Sequence, residues 1–300
     1  MKLRQYSRNP ARLARLLSLS SLLIITACGC TSSTAPVYSK ENIAEAIQDI
    51  SKKEYDLDVT AKLVGSTLWI YLPVEDLFVA PDKPEKYTER FQIEENKEEF
   101  DGSKLRLQYS IKLIPDQDKF QQYKYNKEVL EKISEVWKVL RRVVFSTSRE
   151  EKQEPQFFCL LTADIKNGLL KNEIFYLEDL KKVSYGYISW IEYQHRSYSD
   201  IKMAPEIIGN NNGENMDYKD ITIRDFIAYQ INYHVRLKFQ QPEAGRGADI
   251  DKEIIKIIAY TVKTYGFEDF SEVELNNLLT ENKIILNRAA LWANPSGEKF

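Results

Sequence analysis

Few residues in this chain are spaced for chemistry. The segment Glu192-Tyr193-Gln194-His195-Arg196 sets a carboxylate three positions before an imidazole. In a helix, residues at i and i+3 share a face, so Glu192 and His195 would be neighbours. A carboxylate beside a histidine raises its pKa and orients the ring, the arrangement of a general acid–base pair and also a common surface motif. The other histidine, His234, stands 39 positions later beside an apolar stripe, a place that suits a structural or solvated ring. With two His and three Cys in 300 residues, and no histidine pair at ligand spacing, neither a metal nor a cofactor is expected. Cys159 lies within Phe-Phe-Cys-Leu-Leu, the surroundings of a buried, inert thiol. The polar loop from Asn210 to Asp220 fails as an EF-hand: with Gly213 as the central glycine, Ile208 and Lys219 fall on ligand positions. No Gly-x-Ser-x-Gly, Walker or dinucleotide pattern occurs. Trp69 and Tyr71 share one face of an alternating segment. Exposed, they would form a flat platform for a glycan; aromatics on strands more often pack against a helix, and core beneath the helix at 119–145 is the expectation.

Charge narrows the partners. Residues 1–27 hold five basic side chains and no acidic one, which leaves 37 basic against 45 acidic groups, a net −8, in the remainder. Binding to nucleic acid requires phosphate neutralisation, so no nucleic-acid partner is expected. A chain with 43% hydrophobic residues can fill a core and is not disordered by composition.

The first fifteen residues are basic, residues 16–25 are apolar apart from serines, and Thr26-Ala27-Cys28 follows. That order describes a secretory leader. Ten residues in a helix rise about 15 Å, too little to span a bilayer. The segment Ile25-Thr26-Ala27-Cys28 resembles the lipobox of bacterial lipoproteins. The resemblance implies cleavage before Cys28, a diacylglyceryl group on its thiol and acylation of the new amino terminus. Gly29, where the family's inner-membrane signal would place Asp, implies the outer membrane if the cell has one. Whether Cys30 is also modified stays open. The expected organisation is a signal peptide at 1–27, a lipidated tether at 28–38, an α/β sandwich-like domain at 39–170 and a mainly helical region at 171–300, either separate or packed on the same core.

The elements that must position these residues follow from periodicity. Ser39 can cap a helix over 40–53. Residues 57–63 and 67–74 alternate as strands about Gly65-Ser66, with Pro73 expected to end their pairing. A charged stretch at 80–103 leaves room for a short strand near 91–94. Residues 105–113 form a third strand stopped by Pro115, and 119–145 carries the strongest helical stripe. The continuously apolar 157–163 reads as a strand covered on both faces, joined by a crossover parallel to the third. Beyond it, helices are expected at 177–185, with Gly186 as a break or bend before a continuation over 188–196, and at 220–239 and 249–265, with a loop at 199–219 and a capping box at Ser271 and Glu274 opening another helix. Residues 283–292 suit either a strand or a helix. The fold class expected is therefore α+β: a mixed sheet of about four strands with packed helices in the N-terminal half, then a mainly helical C-terminal half.

These readings point to a membrane-anchored envelope lipoprotein with a non-catalytic binding or assembly role and an envelope protein as partner. Two alternatives remain: an anchored hydrolase of envelope polymers using Glu192 and His195, and a glycan-binding module using Trp69 and Tyr71.

Overall fold

Gly65 turns the chain between two strands whose alternation is plain in the sequence. In the computed structural model, which describes residues 38–39, 41–146, 155–240 and 245–293, strand β1 (Thr60–Val64) pairs antiparallel with β2 (Thr67–Val74). Gly65 has a φ of +60°, and a Cβ there would run into the Asp220 carboxylate. That carboxylate accepts from the Ser66 N–H (2.8 Å), the Ser66 hydroxyl (3.1 Å) and the Thr67 hydroxyl (3.0 Å), so the turn is latched to a loop 154 residues away. Pro73 does not end the strand. It stays in register opposite Ala163, beyond the last residue paired with β1.

The sheet continues with β7 (Phe157–Asp164), β8 (Leu169–Tyr176) and β9 (Tyr198–Met203) in the order β1-β2-β7-β8-β9, with β2 and β7 parallel. On one face Leu68, Ile70, Leu72, Phe158 and Leu160 meet helices α1 (Ile43–Tyr55) and α2 (Lys127–Phe145). The α2 stripe of Val129, Ile133, Val136, Leu140 and Val143 is buried, and each such side chain contributes about 1.5–3 kcal/mol of apolar burial. On the other face Trp69, Tyr71, Phe157, Cys159 and Leu161 lie under Ile207, Ile221 and Phe226.

A second sheet, β11-β10-β5-β4, is formed by β4 (Lys86–Asp101), β5 (Lys104–Phe120), β10 (Glu272–Asn277) and β11 (Asn282–Asn287), with β5 and β10 parallel. Helices α5 (Ile223–Gln240) and α6 (Ile250–Thr264) pack on it through Ile227, Ile231, Val235, Ile254 and Ile258. Two short strands, β3 (Phe78–Val79) and β6 (Lys124–Tyr125), pair where the β4–β5 ribbon leaves the first sheet. Helices α3 (Leu177–Ser184), α4 (Trp190–His195) and α7 (Arg288–Ala293) complete seven α-helices among the described residues.

Apart from β9, the two sheets share one topology. In the first, hairpin β1–β2, helix α2, hairpin β7–β8 and helix α3 follow in order. In the second, hairpin β4–β5, helices α5 and α6, hairpin β10–β11 and helix α7 do the same. Each hairpin pair meets through a parallel central strand pair, and along the chain the two sets alternate, which ties the sheets to each other.

This corrects the expected fold class. The C-terminal half is not mainly helical, because β8 to β11 lie there and helices run through the whole chain. The boundary expected at residue 170 falls inside the β7–β8 hairpin. The parallel partner of β7 is β2, not the strand at 105–113, which belongs to the other sheet. Ser271 opens no helix: its N–H donates to the Ser103 carbonyl (2.7 Å), and β10 follows. Residues 119–126 are the end of β5, a short link, β6 and a cap before α2, with Asn126 accepting from the Glu128 N–H. Residues 282–293 are strand and then helix. Pro115 does not stop β5. It sits in the irregular step between the Glu89–Gln117 and Phe91–Leu113 pairs, and bulges tolerate a residue without an N–H.

Candidate functional site

Both histidines line one cleft of about 410 Å³ between α4, α5 and α6. Ser189 starts α4 by accepting from the Glu192 N–H (3.0 Å), which fixes Glu192 and His195 on a single turn. Thr222 and Asp225 bond reciprocally at the start of α5 (2.9 and 3.2 Å), and Asp249 caps α6. From these helices His234, Glu253 and Tyr260 face the same space.

Glu192 and His195 are brought together, but not as an acid–base couple. The Glu192 carboxylate accepts from Arg196 Nε (2.9 Å) and the Tyr260 hydroxyl (3.2 Å). Burial pushes its pKa up, yet the Arg196 hydrogen bond and charge outweigh that and hold it below the ordinary carboxylate range. Such a group stays ionised near neutrality and is poorly matched to proton donation. His195 is exposed, and its backbone carbonyl takes the His234 Nε2–H at 2.8 Å. Burial lowers the His234 pKa in spite of that bond. Glu253 is held down in the same way as Glu192, with Lys256 at 2.8 Å and Lys238 at 3.0 Å countering burial. The cleft therefore balances paired carboxylates against lysines around a neutral ring.

Beneath it lies a buried polar joint that periodicity does not show. Arg196 reaches Asp179 of α3 with Nη1 (3.0 Å) while holding Glu192 with Nε. Its backbone carbonyl accepts from Gln230 Nε2 (3.0 Å) and the Tyr265 hydroxyl (3.1 Å). The Glu192–Arg196 spacing of four is the one part legible in advance.

Trp69 and Tyr71 do share a face, but it is buried. Trp69 Nε1–H donates to the Lys219 carbonyl (2.8 Å) and the Tyr71 hydroxyl to the Asn210 carbonyl (2.5 Å). The loop at 205–221 and α5 cover them, on the side opposite α2, so the flat exposed platform does not form. Cys159 is buried, and burial drives its thiol pKa well up. Cys28 and Cys30 lie outside the described residues.

A wider cavity of about 610 Å³ opens at the carboxyl ends of β2 and β7, lined by Asp56, Asp58, Glu75, Asp76 and Glu128 with Lys132. Lys52 is shared between Asp56 and Asp58, and Lys166 pairs with Asp76. Among the described residues no group of three or more His, Cys, Asp or Glu side chains could hold a metal ion, and no helix is long and apolar enough to cross a membrane. Searches against known protein families, curated proteins and solved structures find no match.

Proposed function

We propose that this chain is a lipid-anchored protein of a bacterial envelope whose folded body binds a partner without turning it over. The observation that carries the reading is Ile25-Thr26-Ala27-Cys28, placed directly after a basic segment and a short apolar run. Acyl chains on Cys28 would confine the body to a membrane surface; two or more chains give stable anchoring where one is marginal. Confinement raises the local concentration of any partner held at the same surface. The cleft supports a binding role over hydrolysis, because Glu192 is committed to Arg196 and Tyr260. The acidic remainder of the chain favours a protein over a polyanion as the partner.

The test is the mass of the mature amino terminus purified from native membranes, together with crosslinking in intact envelopes. The expected result is a chain beginning at an acylated Cys28, and a Cys28→Ser variant that loses that mass and its crosslinks. A bare Cys28 thiol, or a leader still joined to it, would overturn the proposal.

A further inference from the structure

Residues 185–191 expose more aromatic and aliphatic surface than any comparable run of the described chain: Tyr187 is 80% exposed, Ile191 68%, Tyr185 60% and Trp190 52%. Phe145, at the end of α2, extends the patch by meeting Tyr185 edge-on at 5.9 Å between ring centroids. Tyr185 in turn lies 6.4 Å from Tyr187. The patch is braced from below, since Trp190 packs on Tyr193, which is buried against Phe175 and Trp137. Contiguous apolar surface of this kind marks a contact with protein or membrane. Trp and Tyr are the residues that favour the headgroup layer, where one end is apolar and the other wet.

The occupant is indicated by where the chain enters the fold. The Tyr38 N–H donates to the Ser146 carbonyl at 3.1 Å, so the body begins one residue away from Phe145 and its patch. The ten residue steps from Cys28 to Tyr38 reach at most about 36 Å when fully extended. An anchor at Cys28 therefore keeps this corner of the body within that distance of the lipid. The charges flanking the patch in the sequence are mixed, Arg141 and Arg142 before Phe145 and Glu178, Lys182 and Glu192 on either side of 185–191, so the contact is aromatic and apolar rather than electrostatic.

We infer that Phe145, Tyr185, Tyr187, Trp190 and Ile191 form a membrane-interface patch that seats the body on the headgroup layer beside its own anchor. This rests on the lipid-anchor reading, because the argument uses the reach of Cys28. The side chains insert into the interface, the acyl chains supply the affinity, and together they fix the body's orientation, turning the far end of the molecule toward a partner.

The test uses the full mature chain reconstituted in phosphatidylethanolamine–phosphatidylglycerol vesicles, with and without bromine on the acyl chains as a short-range quencher of tryptophan. The expected result is a loss of emission in brominated vesicles that disappears in Trp190→Phe, which retains Trp69, Trp137 and Trp292. Tyr187→Ser combined with Ile191→Asp alters two largely exposed positions and should weaken that quenching without moving the thermal midpoint. The mass of the same preparation reads the anchor separately. Acylated chains with no quenching, or with quenching unchanged in Trp190→Phe, overturn the membrane patch alone and leave that surface to a protein partner. Chains without acyl mass overturn both proposals.

Discussion

Arg196 and Asp179 form an ion pair at 3.0 Å in which the aspartate is 1% exposed, directly under the cleft that holds both histidines. The pair fastens α3 and α4, which connect β8 to β9 of the first sheet, while the Arg196 carbonyl holds Gln230 of α5 and Tyr265 at the end of α6. One residue thus joins the helices of both sheets. Without Arg196 the buried Asp179 keeps only the more exposed Lys182, at 3.4 Å, and breaking one side of a buried pair costs far more than the pair itself contributes. Arg196→Ala should lower the unfolding free energy by about 3–5 kcal/mol. Arg196→Ala combined with Asp179→Ala should cost less than the two single changes summed, because the second removes the stranded charge. Urea unfolding of all three variants checks this, and strict additivity would mean that the pair is not coupled.

The Gly65 turn gives a second test. Its positive φ and the nearby Asp220 carboxylate both exclude a side chain. Gly65→Ala should destabilise by about 2–4 kcal/mol, from backbone strain of about 1 kcal/mol and the loss of hydrogen bonds to Asp220. Asp220→Asn keeps an oxygen acceptor and should cost less. Equal thermal midpoints for wild type and Gly65→Ala would show that the turn tolerates the change.

The elements legible in the sequence were those whose own residues bury one face. The α2 stripe of Val129, Ile133, Val136, Leu140 and Val143 is such a case, and so are the alternation around Gly65 and the Asp249 cap. Those that were not legible are defined by a distant partner. β8 carries Lys171, Asn172 and Glu173 in its middle, and Lys171 pairs with Glu173 Oε1 at 2.9 Å in a strand flanked on both sides, which hides its apolar pattern. β4 is an edge strand rich in Glu and Lys with Phe91 as its one buried residue; charge on an edge discourages stray pairing and also lowers strand propensity. Ser271 and Glu274 imitate a helix cap, but pairing with β5 and β11 overrides the local signal. The cleft escaped for the same reason: His195 and His234 meet only because α5 returns past α4.

Glu98 on β4 should make the protein more stable at mildly acidic pH. Burial, opposed by the Asn232 hydrogen bond and the Arg236 charge, raises its pKa to about 7 from an ordinary 4.5. The folded state therefore holds a proton that the unfolded chain releases between those values. Its contribution is complete below pH 4.5 and is lost as pH rises to about 7. Glu98→Gln keeps the shape without the charge and should gain about 1–3 kcal/mol on wild type at pH 8, with little difference at pH 4. Chemical denaturation at the two pH values checks this, and an equal difference at both would assign the effect to packing.

His234 acts in the opposite direction over an overlapping window. It donates Nε2–H to the His195 carbonyl from a half-buried position, and burial keeps its pKa below the ordinary 6.5. Above that pH both states hold a neutral ring, so the group adds no pH dependence. Below it the unfolded chain takes up the proton first, and stability falls with pH until the folded ring also protonates. Wild type and His234→Gln both carry Glu98, so its rising contribution cancels in their difference if the two sites are independent. Gln offers an N–H to the same carbonyl and cannot titrate. The two proteins should therefore differ least at pH 8, and the variant should gain on wild type as pH drops below 6.5. A difference that stays constant from pH 8 to pH 5 would show that the ring is no more reluctant to charge when folded than when unfolded.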